Sequence, residues 1–118
     1  IDHINAHATS TPVGDRAEIA SLRNVFGERL PAIPISATKA ATGHLLGAAG
    51  GIESIFSVFA ANTQQLPPTI NLEHCDDDMQ DLTFVTATHH KHITKHVLCN
   101  GFGFGGVNAA LIVSSIER

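Results

Sequence analysis

The pattern of hydrophobic and polar positions shows two kinds of segment: short apolar runs of strand length, and longer stretches that are either amphipathic or apolar throughout. The short runs lie at residues 1–7, 33–36, 82–86, 97–100 and 107–114, and their lengths predict strands. The last run is apolar on both faces, as a central buried strand would be. The chain therefore alternates strand and helix, which is typical of the α/β class.

Two of the longer stretches predict helices. In the first, Ile19, Leu22 and Phe26 form one apolar stripe, and Asp15 with Glu18 forms a D-x-x-E capping box that predicts where the helix begins.

Between the later strands, residues 73–81 carry five acidic side chains and predict a solvated loop.

The second predicted helix covers residues 44–62 and is apolar on nearly every side. Thr42 is placed to cap it with a hydroxyl, and Gly43 lets the backbone pass close to a neighbour. Three more glycines lie inside the helical run, at positions 47, 50 and 51, and each costs about 1 kcal/mol relative to alanine. Their presence predicts another helix or strand packed tightly on that face.

His44 falls in the first turn of this predicted helix, five residues after Lys39. The positive end of a helix disfavours imidazolium, so a neutral imidazole there would be a hydrogen-bond donor suited to stabilising a developing oxyanion. A core histidine beside a small-residue packing helix is the simpler explanation of the same residues. Residue types alone therefore leave both interpretations open.

Composition restricts the function classes. The chain has 118 residues, 43% of them apolar, which is enough for one domain with a sizeable core. A net charge of −4 with scattered basic residues argues against nucleic-acid binding, and no apolar run is long enough to span a membrane. The chain starts at Ile1 without a signal-peptide pattern, which suggests a segment of a longer protein. Two cysteines, Cys75 and Cys99, make no disulfide framework, so a cytoplasmic or organelle-matrix location is expected.

Two motifs suggest other functions. His89, His90, His92 and His96 could bind a metal ion, but no second group of ligands follows at fixed spacing, and an exposed polar loop is the better interpretation. The glycines of G-F-G-F-G-G match G-x-G-x-x-G, yet a strand rather than a helix follows them, so a dinucleotide site is not predicted. A glycine-rich hairpin tip with two phenylalanines suits close approach to a substrate instead.

Four segments together resemble one family. N-A-H-A-T-S-T-P at 5–12, S-A-T-K-A-A-T-G-H-L-L-G-A-A-G at 36–50, L-P-P-T-I-N-L at 66–72 and N-G-F-G-F-G-G-V-N at 100–108 are similar to the C-terminal half of β-ketoacyl-acyl-carrier-protein synthases, closest to the type II fatty-acid enzymes that include KAS II. The resemblance implies a thiolase-like α/β fold, a mixed sheet with helices packed in α/β/α layers. Residues 1–118 would form the C-terminal domain, and the N-terminal half with the nucleophilic cysteine would be absent.

The resemblance also implies a decarboxylative Claisen condensation. His7 and His44 would be the two catalytic histidines, donating hydrogen bonds to the malonyl thioester carbonyl. Lys39 would be the active-site lysine, with a structural and electrostatic role. Thr9 and Thr11 would hydrogen-bond the phosphopantetheine arm, which arrives on the acyl carrier protein, so that no other cofactor and no metal is expected.

The remaining family positions lie on the hairpin and on the second helix. Phe104 would be a gate that also completes an oxyanion hole, with Gly103 and Gly105 as its hinges and Asn108 as structural support. Glu53, the lone charge of its helix, would pair with Lys39. The acyl carrier protein and a second copy of the intact enzyme are the implied partners.

Two departures and two alternatives accompany this interpretation. Position 8 is alanine where many family members have glycine, and neither Cys75 nor Cys99 has the setting that a nucleophilic thiolate needs. The isolated chain is therefore expected to be inactive. A chain-length-factor type of partner subunit and a histidine-based metal or binding module remain as alternatives.

Overall fold

The computed structural model describes residues 1–86 and 90–116, which form a four-stranded mixed sheet with helices on both faces. In chain order the elements are β1 (His3–Asn5), α1 (Pro12–Phe26), β2 (Ile35–Ser36), α2 (Lys39–Thr42), α3 (Ala49–Thr63), β3 (Gln65–Leu66), β4 (His90–Lys91), β5 (His96–Phe102) and β6 (Asn108–Ser114). Short 3₁₀ turns cover Gly27–Ala32, Leu46–Ala48 and Asp77–Met79.

The strand order is β2-β1-β5-β6, with β1 parallel to both of its neighbours and β6 antiparallel to β5. Ile4 lies opposite both Ile35 and Leu98, so these three side chains share one face of the sheet. That face packs against Ile19 and Leu22 of α1. The first crossover is thus a strand–helix–strand unit, as the sequence predicts.

The opposite face of the sheet packs against α3. Val97 lies opposite His3 in the register and contacts Ala60 and Ala61 of α3 in a second apolar cluster. Asn5, on the same face, donates a hydrogen bond from its side chain to the backbone carbonyl of Glu53. Helices on both faces give the layered α/β/α arrangement that the family resemblance implies.

The predicted capping box is not present at the start of α1. The helix begins at Pro12, whose missing N–H and fixed φ suit the first helical position, with Thr11 as the N-cap. Asp15 lies inside the first turn, and Glu18 is buried and hydrogen-bonded to another segment. The D-x-x-E pattern therefore does not mark this helix end, because a long-range contact takes the glutamate.

The long helix begins five residues later than predicted, at Ala49 instead of His44. Gly43 has φ +71° and Leu46 has φ +52°, and both values interrupt a right-handed helix. His44 consequently lies in the connection between α2 and α3, so the argument from a helix N-terminus does not apply to it. Thr42 does not cap α3 either, since it ends α2.

The outward side of α3 remains open. Apart from the adjacent residues and the backbone of the helix itself, no atom of the described residues lies within 4 Å of a Cβ built at Gly47, Gly50 or Gly51. The tight packing partner predicted for these glycines is therefore not found within residues 1–86 and 90–116. Ile55 and Phe59, which lie four positions apart on the same helix, are 54% and 60% exposed.

Strand β6 corrects a further expectation. It is an edge strand of the described sheet, and Leu111 and Ile112 are 48% and 60% exposed on its two faces. The interpretation as a central buried strand is therefore wrong for the structure of this segment. The run at 82–86 also forms no ladder strand, only an isolated bridge between Phe84 and Ile35.

The acidic segment is more closely attached than a solvated loop. Arg16 pairs with Asp76 at 3.1 Å, and Arg23 makes a forked contact with both carboxylate oxygens of Asp81 at 2.6 and 2.8 Å. Met79 from this segment is buried in the core below α1. The segment is thereby held against α1 and forms one wall of the cleft described below.

Only part of the histidine cluster lies within the described residues. His89 lies outside them, and the side chain of His90 is not described. Across residues 1–86 and 90–116, no group of three His, Cys, Asp or Glu side chains could hold a metal ion. No helix in these ranges has the length and apolar character needed to cross a membrane.

Candidate active site

Three charged or ionisable side chains meet where β1 ends and α2 begins. The Lys39 ammonium contacts the Glu53 carboxylate on one side and lies 3.3 Å from Nδ1 of His7 on the other. The side chains of Lys39 and Glu53 are only 4% and 1% exposed. The predicted buried contact between Lys39 and Glu53 is confirmed.

The two histidines face each other across this cluster. The rings of His7 and His44 are 5.5 Å apart between centroids and meet edge to face at 89°. Chain order brings them together because His7 follows β1, while His44 follows β2 and α2, and β1 and β2 are parallel neighbours. Loops that follow adjacent parallel strands emerge at the same edge of a sheet.

Both imidazoles are held with the proton on Nε2. Nδ1 of His7 faces the Lys39 ammonium, which has protons to donate and no acceptor. Nδ1 of His44 accepts the backbone N–H of Leu46 at 3.3 Å. A neutral imidazole with Nδ1 occupied as acceptor carries its proton on Nε2. Both rings can therefore donate a hydrogen bond to a third group.

The environment of His7 favours its neutral form. Burial lowers the pKa of His7, the positive charge of Lys39 lowers it further, and Glu18 acts in the opposite direction. The net pKa lies below the ordinary value of 6.5. At neutral pH the ring is therefore an uncharged donor, which is the state that the hydrogen bond from Lys39 also requires.

The threonines predicted to bind the pantetheine arm lie at the start of α1. Oγ1 of Thr9 and Oγ1 of Thr11 are 3.3 Å apart, so one hydroxyl donates to the other. A Cβ built at Gly14 would collide with the Thr11 hydroxyl. The absence of a side chain at Gly14 thus leaves room for the hydroxyl of Thr11 in this position.

A cleft of about 750 Å³ opens beside the cluster. Lys39, His44 and Thr9 line it together with Phe84 and Cys75. A smaller neighbouring cavity of about 400 Å³ is lined by His7, Thr9, Phe102 and Asn108. The structure therefore brings His7, Lys39, His44, Thr9 and Glu53 to one site.

The hairpin contributes a phenylalanine that the sequence analysis missed. The Phe102 ring lies 5.4 Å from the His7 ring at 61°, whereas Phe104, at the tip, is 91% exposed. Asn108 is the cross-strand partner of Phe102. The first phenylalanine of G-F-G-F still belongs to the strand, whereas the second lies in the glycine-rich tip. This difference in position could have identified Phe102, from the sequence, as the ring nearer the sheet.

The hairpin tip itself depends on glycine. Gly105 and Gly106 have φ of +79° and +80°, in the region that favours glycine. The N–H of Gly103 donates to the carbonyl of Val107 at 2.7 Å, and a Cβ at Gly103 would lie 3.1 Å from the same oxygen. The turn thus favours glycine at Gly105 and Gly106, and a side chain at Gly103 would crowd the Val107 carbonyl, while Phe104 at the tip is exposed.

Neither cysteine has the setting of an activated nucleophile. Cys99 is buried on β5 beneath α3, and burial raises the pKa of its thiol. Cys75 is half-buried in the acidic segment at the wall of the larger cleft.

Comparison with known proteins assigns the family. Residues 1–73, more than half of the chain, match the family model for the C-terminal domain of β-ketoacyl synthases. The chain belongs to the β-ketoacyl synthase family. The match includes the positions of His7, Lys39, His44 and Glu53, and the alternation of strand and helix agrees with it.

Curated relatives extend the similarity over almost the whole chain. The chain is 48% identical to 3-oxoacyl-[acyl-carrier-protein] synthase 1 of Escherichia coli K12, over 99% of this chain and 28% of that protein. It is 43% identical to the mitochondrial 3-oxoacyl-[acyl-carrier-protein] synthase of Arabidopsis thaliana, over 98% of this chain and 26% of that protein. The chain thus spans little more than a quarter of the length of these relatives.

Solved structures of ketosynthases have the same fold. A β-ketoacyl synthase from Burkholderia phymatum superposes with a TM-score of 0.89 and 35% identity, over 99% of this chain and 28% of that chain. A type II polyketide ketosynthase in complex with its acyl carrier protein superposes with a TM-score of 0.92 and 32% identity, over 98% of this chain and 28% of that chain. The thiolase-like α/β prediction is confirmed.

Proposed function

We propose that this chain supplies the malonyl-binding part of the active site of a 3-oxoacyl-[acyl-carrier-protein] synthase, an acyltransferase of fatty-acid elongation. One observation carries the proposal: His7 and His44 face each other, and each has Nδ1 engaged so that Nε2–H is free to donate. Two such donors converging on one oxygen stabilise negative charge as it develops there.

In the proposed reaction, that negative charge develops on the thioester oxygen of a malonyl group. When the bond to the carboxylate breaks, carbon dioxide leaves and the electron pair moves into an enolate, whose oxygen accepts the Nε2–H groups of His7 and His44. The enolate carbon then attacks an acyl thioester, forming a carbon–carbon bond and releasing the cysteine thiolate. Each donor is worth roughly 100- to 1000-fold in rate.

The other residues of the site hold this arrangement in place. Lys39 fixes the tautomer of His7 and is itself held by Glu53. Thr9 and Thr11 are proposed to bind the phosphopantetheine arm at the rim of the cleft. Phe104, on its glycine hinges, is proposed to gate the site, since its exposed ring is free to move.

The nucleophile is proposed to lie in the part of the protein outside this chain. The buried, high-pKa setting of Cys99 and the 28% share of the relatives' length support this assignment. The same missing part, or a second copy in a homodimer, is proposed to cover β6 and the open face of α3. The acyl carrier protein is the proposed partner, in keeping with the ketosynthase neighbour solved with its carrier.

The names of the relatives support a broad enzyme class and a cellular location. Synthases named 1 and 2 match at 48% and 43% identity, so the elongating class that both share is proposed rather than a KAS II-like subtype alone. A cytoplasmic location is proposed, with the organelle matrix as the alternative because a mitochondrial relative also matches.

A chimera tests the proposal directly. The segment of the Escherichia coli synthase 1 that matches this chain is replaced by residues 1–118, and the purified product is assayed for malonyl decarboxylation and for acyl transfer separately. We expect both activities, and we expect His7→Ala or His44→Ala to lower decarboxylation by about 100-fold or more while acyl transfer is retained. A folded chimera that transfers acyl groups but never decarboxylates would favour a chain-length-factor type of subunit.

A further inference from the structure

The side-chain amide of Asn5 joins the segments that carry Lys39 and Glu53. Asn5 is the last residue of β1 and is completely buried. Its Oδ1 accepts from the hydroxyl of Thr38 at 3.2 Å, and its Nδ2 donates to the backbone carbonyl of Glu53 at 3.3 Å. Thr38 immediately precedes Lys39 and is itself buried. One amide thus contacts the chain beside both members of the buried ion pair.

The bond between Asn5 and Thr38 is the middle one of three side-chain contacts that follow one another along the same two segments. Alternate positions of β1 and of the loop after it contact successive polar positions of β2 and the start of α2: His3 with Ser36 at 2.8 Å, Asn5 with Thr38 at 3.2 Å, and His7 with Lys39 at 3.3 Å. The middle contact is therefore the one next to the contact that orients the ring of His7.

The turn that carries Lys39 is held by side chains as well as by its own backbone. Helix α2 has only four residues, and Thr38 is its N-cap. The Thr38 side chain makes no capping bond to this helix, because its hydroxyl donates to Asn5 instead. A helix of one turn has little stability of its own. The direction in which Lys39 leaves the chain therefore depends on contacts made outside α2.

We propose that Asn5 is a positioning residue for Lys39: it fixes the start of α2 through the Thr38 hydroxyl, so that the ammonium reaches Nδ1 of His7. Its bond to the Glu53 carbonyl fixes the counter-ion of Lys39 relative to the same strand. The inference rests on the proposed function, because it concerns the same site. The two can fail separately, since an active unsubstituted chimera establishes the function before Asn5 or Thr38 is changed.

The pKa of His7 reports where the Lys39 ammonium lies. Burial lowers this pKa, the charges of Lys39 and His44 lower it further, and Glu18 acts in the opposite direction. If the ammonium moves away from Nδ1, its charge lowers the pKa less, and the pKa rises toward the ordinary 6.5. A loss of global stability alone does not raise the pKa of a histidine in the folded protein. The titration therefore distinguishes a positioning role from a merely structural one.

The first test compares Thr38→Val with Thr38→Ser in the chimera. Valine keeps the shape of the side chain but removes the hydroxyl, which leaves Oδ1 of Asn5 buried without this donor. We expect malonyl decarboxylation to fall about 10-fold, acyl transfer to be retained, and the His7 pKa to rise in an NMR titration. Serine keeps the hydroxyl and is expected to recover most of the decarboxylation and the low pKa. An unchanged His7 pKa in folded Thr38→Val protein would overturn the proposal, whatever the rate.

Ser36→Ala is the matched control for the loss of a buried hydroxyl. Oγ of Ser36 donates to the carbonyl of Pro67 at 2.5 Å and accepts from Nε2 of His3, so alanine removes two contacts three residues before Lys39. We expect a lower unfolding temperature, with decarboxylation and the His7 pKa unchanged. An equal rise of this pKa in Ser36→Ala and Thr38→Val would overturn the assignment to Asn5, because any hydroxyl lost in this region would then disturb the site.

Asn5→Ala tests the other partner and also covers the case in which Thr38→Val does not fold. It removes both contacts of the amide, so the expected loss of decarboxylation is larger, about 10- to 100-fold, again with a higher His7 pKa. A His7 pKa equal to that of the unsubstituted chimera in folded Asn5→Ala protein would overturn the proposal without any result from Thr38.

The double variant shows whether the two residues act through their common hydrogen bond. Adding Thr38→Val to Asn5→Ala should lower decarboxylation little further, because the hydroxyl has already lost its acceptor. Rate losses that multiply in the double variant would show that Asn5 and Thr38 act separately, and would overturn the proposed route from Asn5 to Lys39.

Discussion

The Lys39 ammonium lies between the Glu53 carboxylate and Nδ1 of His7, and the ion pair is almost completely removed from solvent. The three side chains come from α2, from α3 and from the loop after β1, so one cation joins three separate elements. A buried ion pair adds little net stability, because desolvation offsets the attraction between the charges. Its consequence here is that the orientation of a candidate catalytic histidine depends on a carboxylate 46 residues away in sequence.

Glu53→Gln should destabilise the fold. Removing one member of the pair leaves the Lys39 charge buried without its counter-ion, at a cost of about 3–5 kcal/mol in the free energy of unfolding. Adding Lys39→Met should recover part of that loss, since no charge then remains. Denaturant unfolding of the chimera and of both variants measures these free energies. A Glu53→Gln protein within about 0.5 kcal/mol of the parent, the usual range for surface changes, would contradict the prediction.

The acid limb of malonyl decarboxylation should lie below pH 6.5. Protonated His7 cannot accept from Lys39, and its pKa is lowered by burial and then by the charge of Lys39. Activity depends on the neutral ring in the folded protein, so it should be retained at pH 6.5 and above and should fall as pH drops through the lowered pKa of His7. Lys39→Met should move the pKa of His7 upward. A His7 pKa that stays fixed in an NMR titration of this variant would exclude the proposed coupling.

The Lys39–Glu53 pair could be predicted because the reason for it is local. A single carboxylate in an apolar helix needs a partner, and Lys39 is the nearest cation before that helix. The start of the helix could not be predicted in the same way. Hydrophobic periodicity continues through Leu45 and Leu46, and nothing in a leucine indicates a φ of +52°. That conformation accompanies the contact between the Leu46 N–H and Nδ1 of His44, which is a feature of the site and not of helix propensity.

Glu18 and β6 illustrate two other limits. The D-x-x-E pattern is a local capping signal, but the Glu18 carboxylate accepts from His7 and from Asn100, and only the fold brings these together. The apolar pattern of β6 predicts burial on both faces, yet the strand is at an edge here. An apolar pattern predicts that a surface is buried, but it does not say by what. The structure of this chain shows only the contacts within the chain, so the exposed face of β6 has no partner among the described residues.

Gly105→Val should slow acyl transfer without unfolding the protein. Gly105 has φ +79°, which a β-branched residue adopts only with strain, so the hairpin tip that carries Phe104 must change its conformation. The tip is exposed and lies outside both apolar clusters, so the cost in global stability should be small. Stopped-flow acylation of the chimera and thermal unfolding distinguish the two effects. Unchanged acylation would leave the hairpin with a packing role only.

Gly14→Ala should weaken substrate binding while it leaves the fold intact. The added methyl would collide with the Thr11 hydroxyl, so Thr11 must rotate and lose its contact with Thr9. In the helix itself alanine is favoured over glycine by about 1 kcal/mol, so stability should be unchanged or slightly higher. If the two hydroxyls bind the pantetheine arm, the KM for malonyl-acyl-carrier protein rises several-fold with kcat nearly constant.

Thr11→Val provides the control for this mechanism. It removes the hydroxyl and keeps the shape of the side chain, so it should raise KM by itself to a similar extent. If Gly14→Ala acts by displacing that hydroxyl, the double variant should be no worse than Thr11→Val alone, because the group that the methyl displaces is already gone. Steady-state kinetics of the unsubstituted chimera, the two single variants and the double variant completes this double-mutant cycle. Additive increases in KM would show that Gly14 acts through some other contact, and an unchanged KM in Thr11→Val would remove Thr11 from the binding site.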